Sequence, residues 1–111
     1  MNKCGVIFFQ IQPMIQTMTK KEINKAIVKT FIKQVNDDYK VICDFEDADG
    51  GRMDFGIEHN NEDIMFQFHR SHLDVCTWKV KGDKGYQDAF DLECELQQKL
   101  HQISTHINNL Y

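Results

Sequence analysis

The sequence predicts an α+β domain, a two-layer sandwich of element order β-α-β-β-β-β-α, and three observations predict it. A helix start marked by a capping box leads into an apolar stripe at helical spacing. Residues 39–80 then switch to period-two alternation, broken by Asp/Gly, Asn and Arg-Ser-His turns. The last 26 residues return to helical spacing.

Taken in order, residues 5–12 read as a short apolar strand that ends at Pro13, which has no amide hydrogen for a central ladder. Thr19-Lys-Lys-Glu22 is the capping box, with Met18 and Ile23 placed as a hydrophobic staple. Behind it, Ile23, Ile27, Phe31 and Val35, flanked by Val28 and Ile32, form one stripe. Lys21, Lys25, Lys29 and Lys33 form another, and the pattern stops at Asn36-Asp-Asp38.

Four strands follow. In 39–46, Tyr39, Val41, Cys43 and Phe45 occupy the core side. In 52–58 these positions are Met53, Phe55 and Ile57, and in 63–69 they are Ile64, Phe66 and Phe68. In 73–80, Leu73, Val75 and Thr77 face one way and Cys76, Trp78 and Val80 the other. Asp49-Gly50-Gly51 and Asn60-Asn61 supply residues that tolerate positive φ in hairpin turns. The result is an antiparallel meander. After Lys81-Gly-Asp-Lys-Gly85, a long C-terminal helix over 86–109 is read from Ala89, Leu92, Leu96, Leu100, Ile103, Ile107 and Leu110, three or four residues apart. It would be about 36 Å long against strands of about 25 Å. This mismatch predicts that it overhangs, bends or packs on a second copy, giving a homodimer.

The chain is a single domain over residues 1–111, of modal domain size and with 41% hydrophobic residues, one Pro and six Gly. Collagen-like and disordered classes are excluded. No run of about 18 apolar residues is present, so no membrane-spanning helix is expected. The apolar stretch from Gly5 lacks the features of a signal peptide, and a cytoplasmic protein is expected. Cys4, Cys43, Cys76 and Cys94 include no Cys-x-x-Cys pair, so they read as reduced, mostly buried thiols.

Catalytic and metal-binding chemistry find little support. His69-x-x-His72 spans a turn, and a metal site there would need Asp74 or Cys76 to join it. His101 and His106 stand about 140° apart around their helix, and His59 is isolated. Glu46-Asp-Ala-Asp-Gly-Gly51 lacks the closing glutamate of a calcium loop, since that position is Gly56. Ser71 and Ser104 sit in no nucleophile turn, and Gly50-Gly51 leads into a strand and not a phosphate-binding helix. No enzyme activity and no cofactor are expected.

Charge is the sharper signal. Residues 1–36 carry six lysines and one glutamate, whereas residues 37–63 carry ten acidic and two basic residues, a balance of −8. Asp44, Glu46, Asp54, Glu58 and Asp63 are the carboxylates expected on the solvent side of the strands or at their ends. Such a face suits docking onto a basic surface. Trp78, with Phe68 or Met65 as alternatives, is the expected apolar anchor. The layout is similar to that of small acidic α+β proteins that bind other proteins, among them immunity proteins of bacterial toxins and secretion chaperones. The expectation is a non-catalytic protein that neutralises a basic partner such as a nuclease toxin. It would bind neither nucleic acid nor membrane. A dimeric secretion-type chaperone and a small metal- or ligand-binding domain are the alternatives.

Overall fold

A computed structural model describes residues 18–81 and 87–111 of the chain. Its elements are α1 (Lys20–Asp38), β1 (Lys40–Ala48), a single 3-10 turn (Asp49–Gly51), β2 (Arg52–His59), β3 (Glu62–His69), β4 (Asp74–Lys81) and α2 (Gln87–Leu110). The strand expected at 5–12 lies outside the described residues.

Helix α1 starts where its sequence says it should. The Thr19 hydroxyl accepts the Glu22 amide at 3.1 Å, and the Thr19 amide donates to the Glu22 carboxylate at 3.0 Å. Both bonds satisfy amides that a helix end otherwise leaves open. The Thr19 amide and the Thr19 hydroxyl, which also donates to the Glu22 carboxylate at 3.1 Å, hold that carboxyl below its ordinary pKa. At the other end the Tyr39 amide donates to the Val35 carbonyl.

The sheet is a pure antiparallel meander in the order β1-β2-β3-β4. Its turns use the positive-φ residues that the sequence offers. Asn60 and Asn61 take φ of 52° and 66°, the pair of left-handed conformations that a tight hairpin turn requires. Gly50 and Gly51 take 76° and 75°. The third turn places Leu73, a residue without that licence, at φ 52°.

One face of the sheet forms the core with both helices. Phe55, Ile57, Ile64, Phe66, Phe68 and Val75 are buried from the sheet, and Ile27, Phe31 and Val35 from α1. Phe31 stands edge-on to Phe45 and Phe55, which stack on each other with ring centres 4.2 Å apart. From α2, Ala89, Leu92, Leu96, Leu100, Ile103 and Ile107 are all buried. Asp38 at the end of α1 pairs with Lys99 at 3.0 Å, and the Tyr39 hydroxyl donates to Glu95. The apolar side of α2 is therefore covered from Ala89 to Ile107, whereas Leu110, expected on the same side, is 55% exposed at the helix end.

The two sheet edges are treated differently. Along β4, the Val75 amide donates to the Gln97 carboxamide at 2.9 Å, and the Thr77 amide to the Glu93 carboxylate at 2.6 Å. The Gln97 carboxamide returns a bond to the Leu73 carbonyl at 3.0 Å. Helix α2 thus covers the first half of the β4 edge, as far as Thr77, with side chains one turn apart. Edge strand β1 is broken by two bulges, between Val41 and Cys43 and between Cys43 and Glu46.

Those bulges and a third correct the expected alternation. Each β1 bulge inserts one residue, so Val41 and Phe45 both reach the core, while Cys43 lies opposite Gly56 on the other face and is exposed. In β4 a shift opposite Met65 and Phe66 inserts Trp78 between Thr77 and Lys79. Val80 consequently packs with Val75 on the core side and not with Trp78. The cysteines are corrected too: Cys43 and Cys94 are exposed and Cys76 is half-buried, while Cys4 lies outside the described residues.

Candidate functional site

The outer face of the sheet, opposite the helices, is organised in rows that cross all four strands. The first is Lys40, Glu58, Asp63 and Lys81, each paired with the next in register. The second is Cys43, Gly56, Met65 and Lys79. The third is Glu46, Asp54, Gln67 and Cys76, and the fourth Ala48, Arg52, His69 and Asp74.

The second row is apolar at its centre for a specific reason. A Cβ built on Gly56 would stand 2.6 Å from Met65 Sδ and 3.3 Å from both Cys43 Cβ and Ile42 Cγ1. Absence of a side chain at Gly56 lets Met65 and Ile42 close over the strand. At the far end of this row the β4 bulge lifts Trp78 out of the alternation, leaving it 47% exposed. Ile42, Met65 and Trp78, with Asp63 and Lys81 beside them, line a shallow groove of about 280 Å³.

Of the expected anchors, Trp78 and Met65 lie on this face. Phe68 does not, because its in-register position places it fully inside the core. The expected carboxylates divide into two groups. Glu58 pairs with Lys40 at 3.1 Å and Asp54 with Arg52 at 3.1 Å. Asp63 sits between Glu58 and Lys81 in the first row. Asp44 and Glu46, both exposed, take part in none of the ion pairs among the described residues. The acidic face is therefore less uniform than the −8 segment suggests: Asp63 on β3 is likewise in none of these ion pairs, and the exposed pair, Asp44 and Glu46, stands on edge strand β1. Composition alone shows the carboxylates; only the register shows the basic residues from β2 and β4 placed among them.

The histidine and cysteine residues near the third turn meet only in part. His69 lies opposite Asp74, and the Cys76 thiol donates to the Asp74 carboxylate at 3.2 Å. Partial burial, with that bond and the nearby carboxylates adding to it, pushes the Cys76 thiol up to about 11. It is a resting thiol and not a nucleophile near neutral pH. Among the described residues, no three His, Cys, Asp or Glu side chains come together as a metal site. None of the described helices is long and apolar enough to cross a membrane.

Comparisons with protein-family models, curated proteins and solved structures find no match to this chain.

Proposed function

We propose that this chain is a non-catalytic protein-binding protein that uses the outer face of its sheet and the acidic β1 edge to engage, and neutralise, a basic partner protein. The observation that carries the reading is the exposed Trp78 beside Met65 and Ile42, an apolar row set among charged rows. An aromatic anchor with an apolar surround and a polar rim is the usual anatomy of a protein interface. Asp44 and Glu46 add an open negative edge, which speeds encounter with a basic surface and fixes its orientation. Lys40 and Arg52 hold Glu58 and Asp54 in place and narrow the range of surfaces that fit.

The test is affinity capture of the tagged protein from its native cells beside two variants. One is Trp78→Ala and the other changes Asp44, Glu46, Asp54 and Glu58 together to Ser. A basic protein retained in stoichiometric amount by the parent, and lost or weakened by both variants, is the expected result. Equal capture by all three removes the sheet face from the reading. Trp78 is the chain's single tryptophan, so its emission reports the same event directly. It should shift to the blue when the purified partner covers it.

A further inference from the structure

A second surface, on the helical side of the molecule, has the opposite character. Between α1 and the turns that follow β1 and β3 lies an open groove of about 600 Å³. Its floor is aliphatic, made by half-buried Val28, Ile32 and Met53. Lys21, Lys25 and Lys29 stand along one bank, and Arg70 on the other. Arg70 is held there: its guanidinium donates to the Gly51 carbonyl at 3.1 Å and to Asp47 at 2.9 Å, and its own carbonyl accepts from Asn24. Lys21, Lys25 and Lys29 are exposed, and the ion pairs among the described residues use none of them.

We infer that this groove binds an acidic amphipathic helix of another protein, its apolar side on Val28, Ile32 and Met53 and its carboxylates along the lysines. Charge complementarity and spacing carry the inference. Lysines four residues apart on α1 repeat at about 6 Å, and glutamates four apart on a second helix repeat at the same interval. Three cations in a row also call for several anionic groups and not for a single small carboxylate. The aliphatic floor favours a peptide over a nucleic acid, which would find phosphate contacts here but no aromatic ring among these floor residues on which to stack its bases. The lysine stems extend the apolar surface while keeping their charges at the rim.

The probe is a short fluorescein-labelled peptide with leucines at helical spacing and glutamates on both flanks, followed by fluorescence anisotropy at several salt concentrations. The expected result is saturable binding that weakens with salt, and about tenfold or greater loss in the variant Lys21→Glu/Lys25→Glu/Lys29→Glu. The same variant should gain affinity for a matching lysine–leucine peptide, an outcome that a misfolded protein would not give. Absence of peptide binding to the parent, or binding unchanged by the triple substitution, overturns the inference. Preferential binding of oligothymidylate or of phosphatidylserine vesicles overturns it as well. Trp78 lies on the other face of the sheet, so its emission separates this result from the fate of the proposed function.

Discussion

Gln97 meets both backbone groups that flank Asp74 at the start of the β4 edge, accepting from the Val75 amide at 2.9 Å and donating to the Leu73 carbonyl at 3.0 Å. One helical side chain thereby substitutes for the strand that would otherwise lie beside β4. Removing it leaves two partly buried backbone groups without a partner, which costs about 2 kcal/mol. Gln97→Ala should lower stability to urea by that amount and speed amide exchange at Val75. Gln97→Glu keeps the acceptor but not the donor, so its loss should fall in between. If Gln97→Ala is as stable as the parent, α2 does not hold the edge.

Gly56 is occupied from outside by its neighbours. Adding a methyl group there displaces Met65, whose flexible end yields, and presses on Cys43 and Ile42, which are closer to backbone. Gly56→Ala should cost about 1 kcal/mol. In combination with Met65→Ala the loss should be smaller than the sum of the two single losses, because the principal clash is gone. Strict additivity in a double-mutant cycle would show that Met65 does not lie over this glycine.

Alkaline pH should destabilise the fold through two groups. Cys76 is raised from 9.0 to about 11, and Tyr39 is raised above its ordinary 10.0 by partial burial and by its bond to Glu95. Above their unfolded pKa values the unfolded chain releases protons that the native protein retains. The unfolded state then binds fewer protons, so stability falls as pH rises above about 9. Tyr39→Phe should flatten the part of this decline above pH 10. The same shift orders thiol reactivity: iodoacetamide near pH 8 should modify exposed Cys43 and Cys94 before Cys76. Asp74→Asn should narrow that gap without closing it, since desolvation is the larger cause.

Much of this architecture is written in local pattern. The capping box at Thr19, the positive-φ residues at the hairpins and the helical spacing of 89–107 each act over a few residues, and each forms as the sequence implies. Bulges are where the reading fails. Alternation assumes one residue per step, so it assigns Cys43 to the core and Trp78 to the side of Val80. Two inserted residues in β1 restore its parity by Phe45, and nothing in the local sequence marks the interruption. The candidate site shares this limit. Its residues were visible as carboxylates and a tryptophan, but their mixing with Lys40, Arg52 and Lys81 depends on register between distant segments. The groove beside α1 was legible only as a lysine stripe, because Met53 and Arg70 come to it from the sheet and its turns.

With β4 covered by α2 as far as Thr77, the two rims of the described sheet are unequal, and that bears on how copies would join. Growth of a continuous sheet from molecule to molecule needs two free rims, one to receive and one to offer. At the β4 rim the Val75 and Thr77 amides are already taken, so a strand arriving there would first have to displace Gln97 and Glu93. Every β1-to-β4 junction of a growing fibre would meet that displacement, so the contacts that shape the sheet also penalise its propagation.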